Sequence, residues 1–178
     1  MHLYVTRHGQ TQWNALNKVL GRTDVPLDET GLAQAEELAR SLAGEPIDLV
    51  LTSPLQRTVQ TGAAVANALG IPARTADELI EMNFGIYEGV LRSDPVYQAA
   101  KAQYFARYPE GESFLDIAAR IYPFLRRLPS QYPGKNILLV THNGICRVIH
   151  SYFEPMTNDE FRTFALPNCA LMRYEIGR

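Results

Sequence analysis

Leu3-Tyr4-Val5-Thr6-Arg7-His8-Gly9, continuing as Gln10-Thr11-Gln12-Trp13-Asn14, begins as a short apolar, β-branched run. It then breaks into a cation, an imidazole and a residue with no side chain. The run predicts a buried strand. Ligands of open α/β sheets bind just beyond the carboxyl ends of the strands, so Arg7 and His8 would stand at the mouth of such a crevice. Gly9 allows the backbone to turn sharply and to approach a ligand closely. The chemistry of this stretch alone points to an anion site with a candidate nucleophile in it.

Working outward, Gln12 to Val19 holds a short helical turn, and Leu20 to Asp28 is a loop rich in turn formers. Thr30 is a candidate N-cap for a helix whose apolar residues Leu32, Ala35, Leu38, Ala39 and Leu42 recur at helical spacing before Gly44. Ile47 to Thr52 predicts a second buried strand. It leads into Ser53-Pro54, the pattern of an N-cap with proline at the first helical position, and the helix should run to Gly70. That places Arg57 in a first turn at a strand's carboxyl end, where unpaired N–H groups add partial positive charge. Ile71 to Leu79 reads as extended, Glu81 to Gly89 as a loop, and Ser93 to Tyr108 as an aromatic-rich stretch with little pattern.

Ser113 caps a helix bearing Ile117, Ile121, Leu125 and Leu128 on one face, with a kink expected at Pro123. Asn136 to Thr141 is the strongest strand signal and delivers His142-Asn143-Gly144. A helix from Ile145 to Phe153 and a strand from Ala170 to Glu175 follow. Strands alternating with helices imply an α/β fold. The expected architecture is a three-layer α/β/α sandwich with a mostly parallel central sheet and a small helical cap over the site, segment 82–112. The whole of 1–178 would be one domain.

The chain has 178 residues, 46% of them hydrophobic and 20% charged, with a formal net charge of -2. No global basic field favours nucleic acid or an anionic membrane, so recognition of an anion has to be local. No run is long enough to span a bilayer and no signal-like segment opens the sequence, which predicts a cytoplasmic protein. Cys146 and Cys169 do not make a disulfide framework. His2, His8, His142 and His150 lack metal-ligand spacing, so no metal or other cofactor is expected. The oligomeric state is not legible, which leaves a homodimer open.

Phosphoryl transfer needs positive charge on the equatorial oxygens and a well-placed nucleophile. His8 qualifies if neutral, and neighbouring arginines disfavour its protonated form. Arg7 and Arg57 offer planar forks suited to phosphate. Thr11 and Asn14 can supply neutral hydrogen bonds, and Glu81 is the loop carboxyl nominated to protonate a leaving alkoxide. On residue chemistry alone, a structural His8, a surface ion pair at Arg7 and a solvated Glu81 stay open as alternatives.

At these residues the chain resembles the histidine phosphatase superfamily, the phosphoglycerate mutase-like proteins. The resemblance runs from residue 3 to about 148. It is carried in order by Arg7-His8-Gly9 with Thr11 and Asn14; Gly21, Asp24, Pro26-Leu27 and Gly31; Ser53-Pro54-Leu55-Gln56-Arg57-Thr58 with Thr61; Leu79-Ile80-Glu81 with Phe84-Gly85 and Glu88-Gly89; Gly111-Glu112-Ser113; and Val140-Thr141-His142. It implies that His8 is the nucleophile that becomes phosphohistidine. Arg7, Arg57 and His142 would bind phosphoryl oxygens, assisted by Asn14 and a backbone N–H near Asn143. Thr11 and Gly21 would line the site, and Glu81 would be the acid and then the base. It also implies that no metal is needed.

Within that family, a metal-independent phosphomonoesterase acting on a small phosphorylated metabolite is favoured over a cofactor-dependent phosphoglycerate mutase. Glu81 is followed by Met82-Asn83-Phe84 with no cation, and His142 by Asn143-Gly144. The partner is thus a small-molecule phosphate ester of the sugar-phosphate or α-ribazole phosphate type. A binding module that holds phosphorylated ligands without turnover is the alternative of another class. Aromatics of the cap, Tyr87 among them, either stack on substrate or pack the cap's own core. Arg92, Lys101 and Arg107 are either readers of a second negative charge or solvated residues.

Overall fold

The computed structural model describes residues 1–177. Five strands, β1 (His2–Arg7), β2 (Leu49–Thr52), β3 (Ala73–Thr75), β4 (Ile137–Thr141) and β5 (Leu171–Glu175), form one sheet in the order β3-β2-β4-β1-β5. All neighbours are parallel except β1 and β5. The central strands read as nearly unbroken apolar runs because both faces of a parallel sheet are covered. Successive side chains alternate between faces. Leu3, Val5, Leu51 and Leu139 face a core built with Ile117, Ile121 and Leu125 of α5 (Phe114–Gln131) and Ile145 and Ile149 of α6 (Asn143–Phe153). Tyr4, Val50, Leu138 and Val140 face α2 (Glu29–Ser41) and α3 (Gln56–Leu69) through Leu38, Leu42, Val65 and Ala66. This is the expected three-layer sandwich.

Register does the positioning. Arg7 lies beside Thr141, and Thr52 beside Val140, so β1, β4 and β2 end along one rim. The residues that follow them are His8, His142 and Ser53.

Several boundaries differ from those expected. Asp28 rather than Thr30 caps α2, its carboxylate accepting from Gly31 N–H at 2.8 Å. α3 starts at Gln56 with Leu55 at the cap position, so Ser53-Pro54 lies outside the helix. The extended stretch is only Ala73–Thr75, followed by a 3-10 turn over Asp77–Leu79. α5 runs unbroken from Phe114 to Gln131 with Pro123 and Pro129 inside it; each proline removes one backbone donor but does not end the helix. Ser113 does cap it, in a capping box with Asp116. The opening turn is α1 (Gln12–Ala15) alone. Two short helices, α4 (Pro95–Lys101) and α7 (Asn158–Thr163), carry too few residues for a periodic apolar pattern to reveal them.

Beyond Glu81 the chain forms an aromatic cap. Tyr87 packs tilted against Tyr97 and edge-on to Tyr108, both ring centroids at 5.7 Å, with Phe84 closing the cluster. Tyr97 and Tyr108 are buried. Phe84, Tyr87, Tyr97 and Tyr108 therefore make the cap's own core, while Phe105 is exposed. Among the described residues, no helix is long and apolar enough to cross a membrane.

Candidate active site

His8 follows β1 and is only 3% exposed. Its Nδ1 lies 2.7 Å from the carbonyl oxygen of Gly9. A carbonyl can only accept, so Nδ1 carries the proton and Nε2 keeps its lone pair. Burial, and then the charges of Arg57 and Arg7, hold the His8 pKa well below 6.5. The ring is thus a neutral imidazole of fixed tautomer, the form a nucleophile requires. Its backbone N–H donates to Thr141 O at 3.0 Å, and the next residue, Gly9, donates to Thr61 Oγ1 at 3.0 Å.

His142 follows β4, wholly buried, with its ring edge-on to His8 at 5.2 Å between centroids. Arg57 Nε donates to its Nδ1 at 3.2 Å, so Nε2 bears the proton and donates to Ser53 Oγ at 2.8 Å. Burial, Arg57 and His8 keep this ring neutral too. Both ring nitrogens are occupied. For His142 to hold a phosphoryl oxygen, its N–H must leave Ser53.

Arg57 stands in the first turn of α3 and is fully buried. Besides His142 it donates to Thr23 O at 2.9 Å and Gly21 O at 2.6 Å. Burial lowers its pKa to about 10, which still leaves it a cation at neutral pH. Arg7 donates to Leu166 O at 3.0 Å, while its buried Nε has no partner. An orphaned buried N–H costs about 1–3 kcal/mol. Among the described residues neither guanidinium is in an ion pair, so both retain their charge for an anion.

Glu81 is 5% exposed. Its Oε1 accepts from Met82 N–H at 2.9 Å and its Oε2 from Gly144 N–H at 3.3 Å. Burial raises its pKa, opposed by the Met82 N–H, the Arg57 charge and the Gly144 N–H. Desolvation wins, so the carboxyl is biased toward its proton-bearing form. Gly144 is needed beside it, because a Cβ there would lie 2.6 Å from Glu81 Oε1.

The remaining expected residues fall into different places. Thr11 and Asn14 close a capping box on each other, so the Thr11 hydroxyl serves α1. Asn14 and Asn143 nevertheless line one cleft with Arg7, of about 270 Å³. Asn143 Oδ1 accepts from Leu166 N–H at 2.8 Å, which ties down segment 164–168. Gly21 supplies the carbonyl that holds Arg57, and a Cβ there would meet Met82 O at 2.6 Å. Tyr87 sits in the cap's aromatic cluster and does not line this cleft.

Sequence reasoning missed Ser53 as the partner of His142, having placed it as a helix cap. It also missed Asn168, whose Nδ2 donates to His8 O at 2.7 Å, and Leu166, whose carbonyl anchors Arg7. A backbone carbonyl has no sequence signature. Among the described residues, no group of three or more His, Cys, Asp or Glu side chains is placed to hold a metal ion.

Two buried neutral imidazoles make folding sensitive to acid. Their folded pKa lies below the unfolded value near 6.5, so the unfolded chain binds more protons as pH falls past that value. Stability should therefore drop between pH 7.5 and 5.5, read as the urea midpoint. Glu81, shifted upward, acts in the opposite sense. The difference in slope between wild type and His8→Ala isolates the imidazole; identical slopes would refute the buried neutral state.

The pattern of the histidine phosphatase superfamily, branch 1, matches residues 3–178. A Yersinia pestis protein named "Probable phosphoglycerate mutase GpmB" is 31% identical over 182 residues, which cover 98% of this chain and 85% of that protein. The α-ribazole phosphatase of Shigella flexneri superposes with a TM-score of 0.87 at 29% identity, covering 100% of this chain and 92% of the other. A mycobacterial glucosyl-3-phosphoglycerate phosphatase gives a TM-score of 0.86 at 24% identity, over 97% and 90% of the two chains, a likeness of fold alone. With the pattern matched across nearly its whole length, this chain belongs to the histidine phosphatase superfamily and is a phosphoryl-transfer enzyme of that family.

Proposed function

We propose that the protein is a metal-independent phosphomonoesterase acting on a small phosphorylated metabolite, and that His8 is its nucleophile. The observation that carries this is the tautomer of His8: Nδ1–H is held by Gly9 O, which leaves the Nε2 lone pair beside two arginines without counter-ions. In the first half-reaction Nε2 attacks phosphorus, the N–P bond forms and the bond to the leaving oxygen breaks. Glu81 gives its proton to that oxygen. In the second, Glu81 as carboxylate takes a proton from water, the hydroxide oxygen bonds to phosphorus, and the N–P bond breaks. Phosphate leaves, with His8 neutral and Glu81 protonated again. Arg7, Arg57 and the N–H groups at the start of α6 face the charge on the transferring oxygens, and Asn14 and Asn143 border the same cleft.

The names carried by relatives favour two readings. Phosphatase names among the structural relatives at 29% identity support hydrolysis, while the 31% relative carries a mutase name. Met82-Asn83 after the acid gives no cation there, and the cleft beside Arg7 is open to water, which favours hydrolysis.

Phosphate release should proceed with chelator present from an aryl phosphate and from some of a panel of sugar phosphates, α-ribazole phosphate and 3-phosphoglycerate. Conversion of 3-phosphoglycerate to its 2-isomer with little phosphate released would give the case to the mutase. Glu81→Gln should lose about 10²–10⁴-fold in kcat/KM on alkyl phosphates and far less on the aryl ester, whose leaving group needs no proton. Equal losses on both would remove Glu81 from the role of acid.

A further inference from the structure

Glu81 acts from backbone that is neither helix nor strand: after the 3-10 turn over Asp77–Leu79, residues 80–84 are irregular. A group on such a segment keeps its aim only through ties made to it from elsewhere in the fold. These reach backbone atoms on both sides of the acid. Arg120 donates to Glu78 O, Thr141 Oγ1 to Leu79 O at 2.8 Å, and Arg22 Nε to Glu81 O at 3.5 Å. Glu112 supplies two more. Its N–H donates to Asn83 O at 2.9 Å, and its Oε2 accepts from Asn83 N–H at 2.8 Å.

The charged side chains that make these ties are themselves joined. Glu112 Oε1 accepts from Arg22 Nη2 at 3.0 Å, and Arg120 Nη2 lies 3.7 Å from Glu112 Oε2. The side chains of Arg120 and Glu112 are only 19% and 20% exposed, so solvent and salt screen this pair less than a surface one. Arg22 carries the connection further. Its N–H donates to Glu88 Oε1 at 2.7 Å, and Thr23 N–H to Glu88 Oε2 at 2.8 Å. Arg22 thus belongs to the loop whose Gly21 O and Thr23 O hold Arg57. Glu112 lines no part of the cleft beside Arg7 and takes no part in either half-reaction. It stands where the acid's segment meets the loop that anchors Arg57.

We propose that Glu112 is a positioning residue for the acid: with Arg22 and Arg120 it fixes Glu81 relative to Arg57, so that the proton meets the departing oxygen. The inference rests on the phosphatase reading and on Glu81 as its acid. Glutamine at 112 keeps the shape and removes the charge. Whichever way its amide is turned, the NH2 group meets a donor, Asn83 N–H on one side or Arg22 on the other. The two guanidiniums also lose the counter-ion they share. The acid's segment then shifts while the groups lining the cleft stay in place.

The test measures kcat and KM on the intact protein with two esters, the fastest alkyl phosphate of the panel and 4-nitrophenyl phosphate, whose leaving group needs no proton. Damage to the fold lowers both rates together, whereas a misaimed acid lowers only the alkyl one. Glu112→Gln should cut kcat on the alkyl ester about tenfold or more, with KM within about twofold and the aryl ester nearly unaffected. In the Glu81→Gln protein the same substitution should cost nothing further, because the acid it aims is already gone. Arg22→Met, at the more exposed link, should move the aryl-to-alkyl ratio the same way by a smaller factor, and it decides the matter where Glu112→Gln does not fold. A ratio of two substrates on one preparation is insensitive to the fraction folded. Equal losses on both esters, a ratio that neither substitution moves, or an undiminished loss in the Glu81→Gln background overturns the positioning role and leaves the phosphatase standing. A wild type that hydrolyses the aryl ester alone has no acid to aim, and overturns it too. No release from any ester, the aryl one included, takes down the phosphatase reading and this inference with it.

Discussion

His8→Ala protein should release phosphate at the rate of the blank, a loss on the order of 10⁴-fold or more, while remaining folded. Among the described residues, the ring supplies the only Nε2 lone pair at the rim whose tautomer is fixed by a carbonyl, and no other side chain replaces it. His142, its edge-on neighbour, has its Nε2–H committed to Ser53 and its Nδ1 to Arg57. The fold should survive because the loop around His8 is tied by its backbone: His8 N–H to Thr141 O, Gly9 N–H to Thr61, and His8 O from Asn168. Two measurements check this together, phosphate release and the acid-labile, base-stable phosphoprotein trapped during turnover. The first should fall and the second vanish. Activity within tenfold of wild type would sink the mechanism.

Arg57→Met should be damaging in both function and stability. Arg57 is buried without a carboxylate partner among the described residues, and three of its N–H groups satisfy Gly21 O, Thr23 O and His142 Nδ1. Methionine fills similar volume but leaves Gly21 O and His142 Nδ1 buried without this donor, while Thr23 O keeps Val25 N–H. Each such group costs about 1–3 kcal/mol, offset in part by relief of the buried charge. A net loss of about 2–4 kcal/mol is expected, seen as a lower urea midpoint. Removal of a preorganised cation from the transferring oxygens should cost about 10²–10³-fold in kcat/KM even in the fraction that folds. Arg7→Met, with one bond to Leu166 O and an unpartnered Nε, should lose activity with less loss of stability. A folded, fully stable Arg57→Met protein would refute the structural half of this account.

Much of the framework was legible because it is written in local pattern. Apolar β-branched runs ending in Arg7-His8 and His142 gave the strands β1 and β4 and their shared rim, and helical spacing gave α2, α3 and α5. Signals of one-turn length were ambiguous. Thr30 and Asp28 are both good N-cap residues, and only the fold selects Asp28, through Gly31 N–H. Ser53-Pro54 fits a helix start, yet the hydroxyl is used by a histidine 89 residues away. Leu166 and Asn168 escaped altogether, since what they contribute is reach across the fold, not residue chemistry in a motif. At Tyr87 the sequence left two readings open, because aromatic character alone does not distinguish a ligand platform from a small core.

The ties on the loop around His8 also set an order of events in synthesis. Arg7 is anchored by Leu166 O, its carbonyl accepts from Cys169 N–H, and His8 O accepts from Asn168 Nδ2, each partner about 160 residues further on. β5, which follows, is the antiparallel strand that flanks β1. During synthesis His8 therefore leaves the ribosome 160 residues before Asn168, which clasps its carbonyl. Until segment 166–175 has emerged and paired, the loop is open on one side and the arginine beside it has no fixed direction. Contacts closed over so long a separation carry the larger loop-closure cost and form late in folding.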